Sequence, residues 1–159
     1  MVEDIPGLRR ILKTNRVIAV VGLSGDWFRP SYFAAKYMME HGYTVIPVNP
    51  RCEEILGQKC YRSLREAAED CTVKIDIVDV FSRTGDVKPI AEDAIAIGAK
   101  VLWQQLGVKN LEAAEKAEAG GLETVTDRCV KIEHARLFGG LNWAVVNTRI
   151  ISAMRPLPY

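Results

Sequence analysis

Residues 17–21 of this chain read VIAVV, five apolar residues of which three are valine and one is isoleucine. Such a run suits a short strand covered on both faces, the kind found inside a parallel sheet. Gly22 breaks the run, Ser24 and Gly25 keep the next turn small and polar, and Pro30 with Ser31 opens an amphipathic segment, Ser31 reading as a good helix N-cap. Strand, tight glycine turn and helix start together aim backbone N–H groups and the positive end of a helix dipole at an anion. The stretch therefore predicts a phosphate cradle. It also constrains the remainder, because a strand buried in a parallel sheet needs crossover helices on both faces.

The rest of the chain supplies them. Ile5, Leu8, Ile11 and Leu12 share one helical face, with Pro6 in the first turn, and predict a short helix against the sheet edge. A helix over 31–41 stops at Gly42, and TVIPV at 44–48 reads as the second strand, with Pro47 unable to donate to its ladder. Cys60 and Tyr61 suit a short edge strand, and Ser63 with Glu66 has capping-box spacing. Residues 75–81, IDIVDVF, read as the next buried strand, although Asp76 and Asp79 are out of character for one. Val87, Ile90, Ala91, Ala94 and Ile95 follow a helical period that Gly98 ends. A strand over 100–103, a helix capped by Asn110 and a last strand over 123–125 complete the alternation. The pattern predicts an α/β fold with a doubly wound, mostly parallel sheet and helices on both faces. Residues 1–137 are expected to form one domain that includes the N-terminal helix. Residues 138–159 differ: Gly139 and Gly140 interrupt them, Pro156 and Pro158 end them, and Trp143, Val145, Val146, Ile150 and Ile151 need cover. This extension is expected to pack on its own domain or on a dimer partner.

Charge narrows the class of ligand. Lys and Arg total 21 against 20 Asp and Glu, a net +1, which gives no support for nucleic-acid or acidic-membrane binding. An anion site must then be local. Cys52, Cys60, Cys71 and Cys129 form no CxxC pair, so neither a zinc site nor a redox motif is expected, and reduced thiols suit a cytoplasmic setting. The first sixteen residues carry acids and no long apolar run, unlike a signal peptide, and no stretch of the chain reaches membrane-spanning length.

Doubly wound sheets take ligands outside the carboxyl ends of their strands. Here residues 22–31, 49–52, 81–86, 104–107 and 127–129 are expected to meet there, and they bring Arg29, Arg51 and Arg83 to one edge. Three arginines suit a ligand with several phosphates. The dinucleotide fingerprint is incomplete: Ser24 holds the second glycine position, and Asn49 and Arg51 stand where an acid is expected after the second strand. That weakens NAD, leaves NADP open and suits coenzyme A, which carries a ribose 3′-phosphate. There is no nucleophile elbow and no Walker lysine. His41 reads as a helix cap, and the spacing of Cys129 and His134 establishes no catalytic pair. No catalytic residue and no metal ligand is assigned.

Seven stretches carry a resemblance. AVVGLS at 19–24, RPSY at 29–32, GYTVIPVNP at 42–50, EILGQKCYRSL at 54–64, DIVDVFSR at 76–83, AIAIGAKVLWQQLG at 94–107 and DRCVKIEH at 127–134 follow one another in order. They resemble the small stand-alone CoA-binding proteins of bacteria and archaea and, more distantly, the CoA-binding domain of the succinyl-CoA synthetase alpha subunit. The resemblance implies a Rossmann-like domain that binds coenzyme A. It implies that Gly22 and Ser24 hold the pyrophosphate, that Asn49 and Arg51 lie near the adenosine phosphate, and that Phe81 and Arg83 flank the nucleotide. Gln105, Leu106 and Gly107 would line the pantetheine path, with Leu23, Arg29, Ser31 and Cys129 completing the site. Leu23 stands where the family usually has alanine and is expected to crowd the loop. The synthetase also works with a phosphorylated histidine in a second domain, for which these stretches offer no match, so this chain is not expected to be that enzyme alone. The implied function is a non-catalytic carrier, sensor or regulatory module for CoA or acyl-CoA. The alternatives are an NADP-dependent oxidoreductase or a redox protein whose Cys129 forms a mixed disulfide with CoA. A homodimer and a protein partner that supplies catalysis stay open.

Overall fold

The computed structural model describes residues 1–139, so the expectations placed on the C-terminal extension fall outside the described residues from 140 onward. The apolar run becomes β1 (Val17–Val21), and β2 (Thr44–Val48), β5 (Ile77–Val80), β6 (Val101–Gln104) and β7 (Glu123–Val125) join it in a five-stranded sheet of order β2-β1-β5-β6-β7. Every pairing in it is parallel. Pro47 is tolerated because β2 lies at the edge, where only one neighbour needs a ladder. A small antiparallel hairpin, β3 (Glu54–Ile55) and β4 (Gln58–Lys59), turns through Leu56 and Gly57, both at positive φ.

Alternation along β1 shows why the sheet is covered twice. Ile18 and Val20 pack with Leu8, Met38 and Trp103, whereas Ala19 packs with Ile46, Val78, Ala91 and Leu102. The first face is covered by α1 (Ile5–Thr14), α2 (Pro30–Glu40) and α6 (Val130–Phe138), and the second by α3 (Leu64–Asp70), α4 (Val87–Ala96) and α5 (Leu111–Ala119). The α1 helix is tied to the edge strand by Arg10, which pairs with Glu123.

Several local readings change. Helix α6 has no counterpart in the sequence reading, because two of its buried positions carry Glu133 and His134 and so break the apolar period. The edge strand expected at 60–61 shrinks to a single bridge from Tyr61 to Val48, while the paired residues lie just before it in β3 and β4. Strand β5 is shorter than 75–81. Asp76 falls outside it and accepts the N–H groups of Arg16 (3.1 Å) and Val17 (3.2 Å), which holds the start of β1. Ser31 is not the cap of α2. The helix starts at Pro30 with Arg29 in the cap position, and Ser31 lies one residue inside it.

Candidate functional site

The chain reverses its winding at β1: it passes through α2 to β2 on one side and returns to β5 on the other. The carboxyl ends of β1 and β5 therefore frame the crevice where doubly wound sheets hold ligands. Gly22 closes that crevice from one side. Its N–H donates to the Val48 carbonyl at 2.9 Å, its φ is +86°, and a Cβ there would lie 3.0 Å from the Phe81 carbonyl oxygen. Only glycine fits both the conformation and the approach. Leu23 does not crowd the loop as expected. Its side chain is fully buried in the core, so only its backbone faces the turn.

Hydroxyls hold the turn from within. The Ser24 N–H donates to Ser31 Oγ at 3.0 Å, and Ser24 Oγ accepts from the Asp26 N–H at 3.1 Å. The N–H groups of Leu23 and Gly25 have no acceptor among the described residues. Asn49 links this turn to the end of β2, donating from Nδ2 to the Leu23 carbonyl at 2.8 Å and accepting the Arg51 N–H at 2.9 Å. Arg29, Arg51 and Arg83 are all exposed, and none has a carboxylate partner among the described residues. Arg29 lies over the Phe28 ring at 5.7 Å.

The other side of the crevice is built from buried polar groups. Gln105 is 2% exposed and donates from Nε2 to Asp79 Oδ1 at 2.5 Å, so its side chain is committed inward. Asp79 is 1% exposed, and burial pushes its pKa up to about 8 against the pull of the Gln105 hydrogen bond. Gln104 is also buried; it accepts the Asn110 N–H at 2.7 Å and donates to the Asn110 carbonyl at 3.0 Å, which sets the start of α5. Leu106 stays exposed, and Gly107 (φ +85°) donates its N–H to Asp127 Oδ1 at 2.7 Å. Cys129 precedes α6 and is half-buried. Burial, with Asp79 in the same direction, pushes its thiol up, while backbone N–H groups of Ile132 and Lys131 pull it down.

The two histidines join an aromatic cluster. The Tyr37 hydroxyl lies 2.9 Å from His134 Nδ1, and the His41 ring stacks on Tyr37 with centroids 3.9 Å apart. His41 closes α2 as expected, its Nδ1 lying 2.7 Å from the Tyr37 carbonyl. Burial pushes His134 below its ordinary value, helped by His41 and Arg16. Two neighbours of the crevice fall within the expected segments 81–86 and 127–129 but are not among the residues singled out as site residues. Ser82 Oγ lies 3.4 Å from the position a Gly22 Cβ would take, and Asp127 adopts a φ of +56° to reach Gly107. Nothing in the sequence marks Ser82 apart from its neighbours, whereas an acid inside the apolar run of β5 does mark Asp79.

A parallel sheet wound on both faces, with a glycine turn over its switch point, defines a Rossmann-like α/β fold. The chain belongs to the CoA-binding domain family, whose model matches residues 16–135. It is 39% identical over 128 residues to the uncharacterized protein YneT of Bacillus subtilis, a match that covers 80% of this chain and 92% of that protein. A solved structure of a hypothetical protein from Pyrococcus horikoshii OT3 has a TM-score of 0.81 and 42% identity, covering 86% of this chain and 94% of the other. A shorter match, 28% identical over 61 residues, relates 38% of this chain to 9% of the ADP-forming acetate–CoA ligase of Methanocaldococcus jannaschii. No helix among the described residues is long and apolar enough to cross a membrane.

Proposed function

We propose that this chain binds CoA or an acyl-CoA across the crevice between β1 and β5, and that it does so as a non-catalytic carrier, sensor or regulatory module. The observation that carries the reading is the cradle: Gly22 passes so close to the segment after β5 that a Cβ on it would lie 3.0 Å from the Phe81 carbonyl oxygen, and the N–H groups of Leu23 and Gly25 beside it have no acceptor among the described residues. Those two groups, with the start of α2, suit a pyrophosphate. Ser24 and Ser31 each use their oxygen as an acceptor within the turn, which leaves their hydroxyl protons for phosphate oxygens. Arg29, Arg51 and Arg83 add exposed positive charge for the remaining phosphates. Phe81, Leu106 and Gly107 line the way along β5 and β6 for the pantetheine arm. Gln105 contributes only backbone there, because Asp79 holds its side chain.

Bound CoA supplies a thiol that carries acyl groups as thioesters. A mixed disulfide formed when the Cys129 thiolate attacks CoA disulfide and releases one CoA thiolate is the less favoured reading, because burial favours the neutral thiol at this position. The test is calorimetric titration of the full chain with CoA, dephospho-CoA, NAD and NADP under one set of conditions. Binding of CoA, weaker for dephospho-CoA and absent for the nicotinamide dinucleotides, is the expected result. Binding of NADP alone would overturn the reading in favour of the oxidoreductase.

A further inference from the structure

The sequence holds no CxxC pair, yet the fold brings two of its thiols together behind the cradle. Residues 49–52 form a turn in which the Cys52 N–H donates to the Asn49 carbonyl at 3.5 Å. The Cys60 thiol donates to that same oxygen at 3.4 Å. The β3–β4 hairpin sets this up. Its ladder pairs Glu54 with Lys59, and one step beyond it the Cys60 N–H donates to the Glu53 carbonyl at 2.8 Å, so Cys52 and Cys60 meet across the open end of the hairpin. Both pack on the core cluster that holds Leu23 and Ile55. Cys71 packs on the cluster of the other sheet face, where its thiol donates to the Tyr61 hydroxyl at 3.6 Å, and Cys129 stands beyond β7 at the start of α6.

The two thiols differ in access. Cys60 is 7% exposed, and burial pushes its thiol up, with Cys52 acting in the same direction. Cys52 is half-buried, and its sulfur lies 4.0 Å from the position a Gly25 Cβ would take. Asn49, whose carbonyl both cysteines use, holds the Leu23 carbonyl through its side chain. The thiol pair therefore stands directly behind the turn that follows β1, and its state does not depend on which ligand the crevice takes.

We propose that Cys52 and Cys60 are a dithiol that closes to a disulfide by exchange with a low-molecular-weight disulfide, RSSR, and that closure reshapes the back of the cradle. The more exposed partner reacts first. Cys52 gives up its proton, its thiolate attacks one sulfur of RSSR, a bond forms from Cys52 Sγ to that sulfur, and RS⁻ leaves. Cys60 then gives up its proton, its thiolate attacks Cys52 Sγ, and the second RS⁻ leaves. The two released thiolates take up two protons, so two electrons pass from the protein to RSSR, which ends as two RSH. Bonded sulfurs lie about 2.05 Å apart. Cys60 then has no proton for the Asn49 carbonyl, and Cys52 Sγ shifts relative to Gly25.

The test places the full chain in mixtures of oxidised and reduced glutathione, then blocks the remaining thiols and digests with trypsin. Cleavage after Arg51, Lys59 and Arg62 should release residues 52–59 joined to 60–62, from a denatured chain that has the mass of one copy less two hydrogens. Cys60→Ser should stall with glutathione on Cys52, and Cys52→Ser should leave Cys60 open to the blocking reagent. Should Cys60→Ser fail to fold, Cys60→Ala serves in its place. In the isotope-labelled wild type, amide shifts of Leu23 and Gly25 should differ between the oxidised and reduced forms while those of β6 and β7 coincide. Absence of the joined peptide at the most oxidising mixture would overturn the proposal, as would a bridge to Cys71 or Cys129 or one formed only between two chains. A joined peptide with unmoved Leu23 and Gly25 amides would overturn the link to the cradle.

Discussion

The two sides of the crevice are built on opposite terms. On the β1–β2 side the polar groups are backbone N–H, short hydroxyls and the exposed Arg29 and Arg51, all near water, and Asn49 links the turn to the end of β2 through the Leu23 carbonyl and the Arg51 N–H. On the β5–β6–β7 side Asp79 and Gln105 are sealed at 1% and 2% exposure, and Cys129 is half-buried beside α6. An anion is well served by the first construction, which offers positive ends without a large desolvation penalty. The second holds a carboxyl group that burial keeps neutral. A protein that retains a buried acid gives up stability at that position, and the contrast can be tested from both sides.

The largest effect belongs to Asp79. Its folded pKa of about 8 lies above the ordinary value of 3.8, so the folded state keeps a proton that the unfolded chain releases from about pH 4 upward. Stability from this group therefore falls as pH rises between those two values and levels off above the higher one. Asp79→Asn keeps an acceptor for Gln105 and carries no charge. Urea unfolding should show the variant more stable by on the order of 3–5 kcal/mol at the alkaline end of that window, with the slope across it removed. An unchanged slope would break the picture of a neutral buried side.

Gly22→Val comes next. A branched side chain at φ +86°, with Cβ 3.0 Å from the Phe81 carbonyl, should lower stability by roughly 1–3 kcal/mol. It should also abolish the rise in melting temperature expected of the wild type with CoA. If the variant folds and binds CoA normally, the open side is not the cradle.

Arg83→Ala probes the exposed charge that follows β5, across the crevice from Gly22. Loss of a charge-assisted contact to phosphate should weaken CoA binding by about 1.5–3 kcal/mol in a calorimetric titration, with the melting temperature of the free protein unchanged. A large drop in that melting temperature would make Arg83 a structural residue instead.

The smallest effect is expected at Thr126, just past β7, whose buried hydroxyl oxygen has no hydrogen-bond partner among the described residues. Thr126→Val replaces it with a methyl of similar shape and should add up to about 1 kcal/mol of stability, with CoA affinity unchanged. A loss of affinity in this variant would show that the hydroxyl serves the ligand.

The same contrast explains what was legible in the sequence. The β1 strand and the Gly22 turn are local features, a five-residue apolar run and one glycine, and both are found where the residues place them. The alternation of strands and helices fixes the sheet for a similar reason, since each element carries its own period. Helix α6 was hidden because Glu133 and His134 fill inward positions, and their partners, Arg136 and Tyr37, are visible only in the folded chain. Ser31 read as a cap because its residue type suits one, yet Pro30 at the first helical position moves the start, and the hydroxyl reaches back seven residues to Ser24. The Gln104–Gln105 pair shows the limit most clearly. Both side chains turn inward, one to Asn110 and the other to Asp79, and no spacing rule relates Gln105 to a strand 26 residues earlier. The side made of backbone and loop chemistry was readable, and the side made of long-range buried pairs was not.

The measurement that tests the central claim most directly is a titration of the isotope-labelled protein with CoA, followed by amide chemical shifts. The largest changes should fall at Gly22, Leu23, Gly25 and Ser31, with further changes at Asn49, Ser82, Leu106 and Gly107 across the crevice. Changes confined to α4 and α5, on the far face of the sheet, or no change at saturating CoA, would contradict a ligand site between β1 and β5.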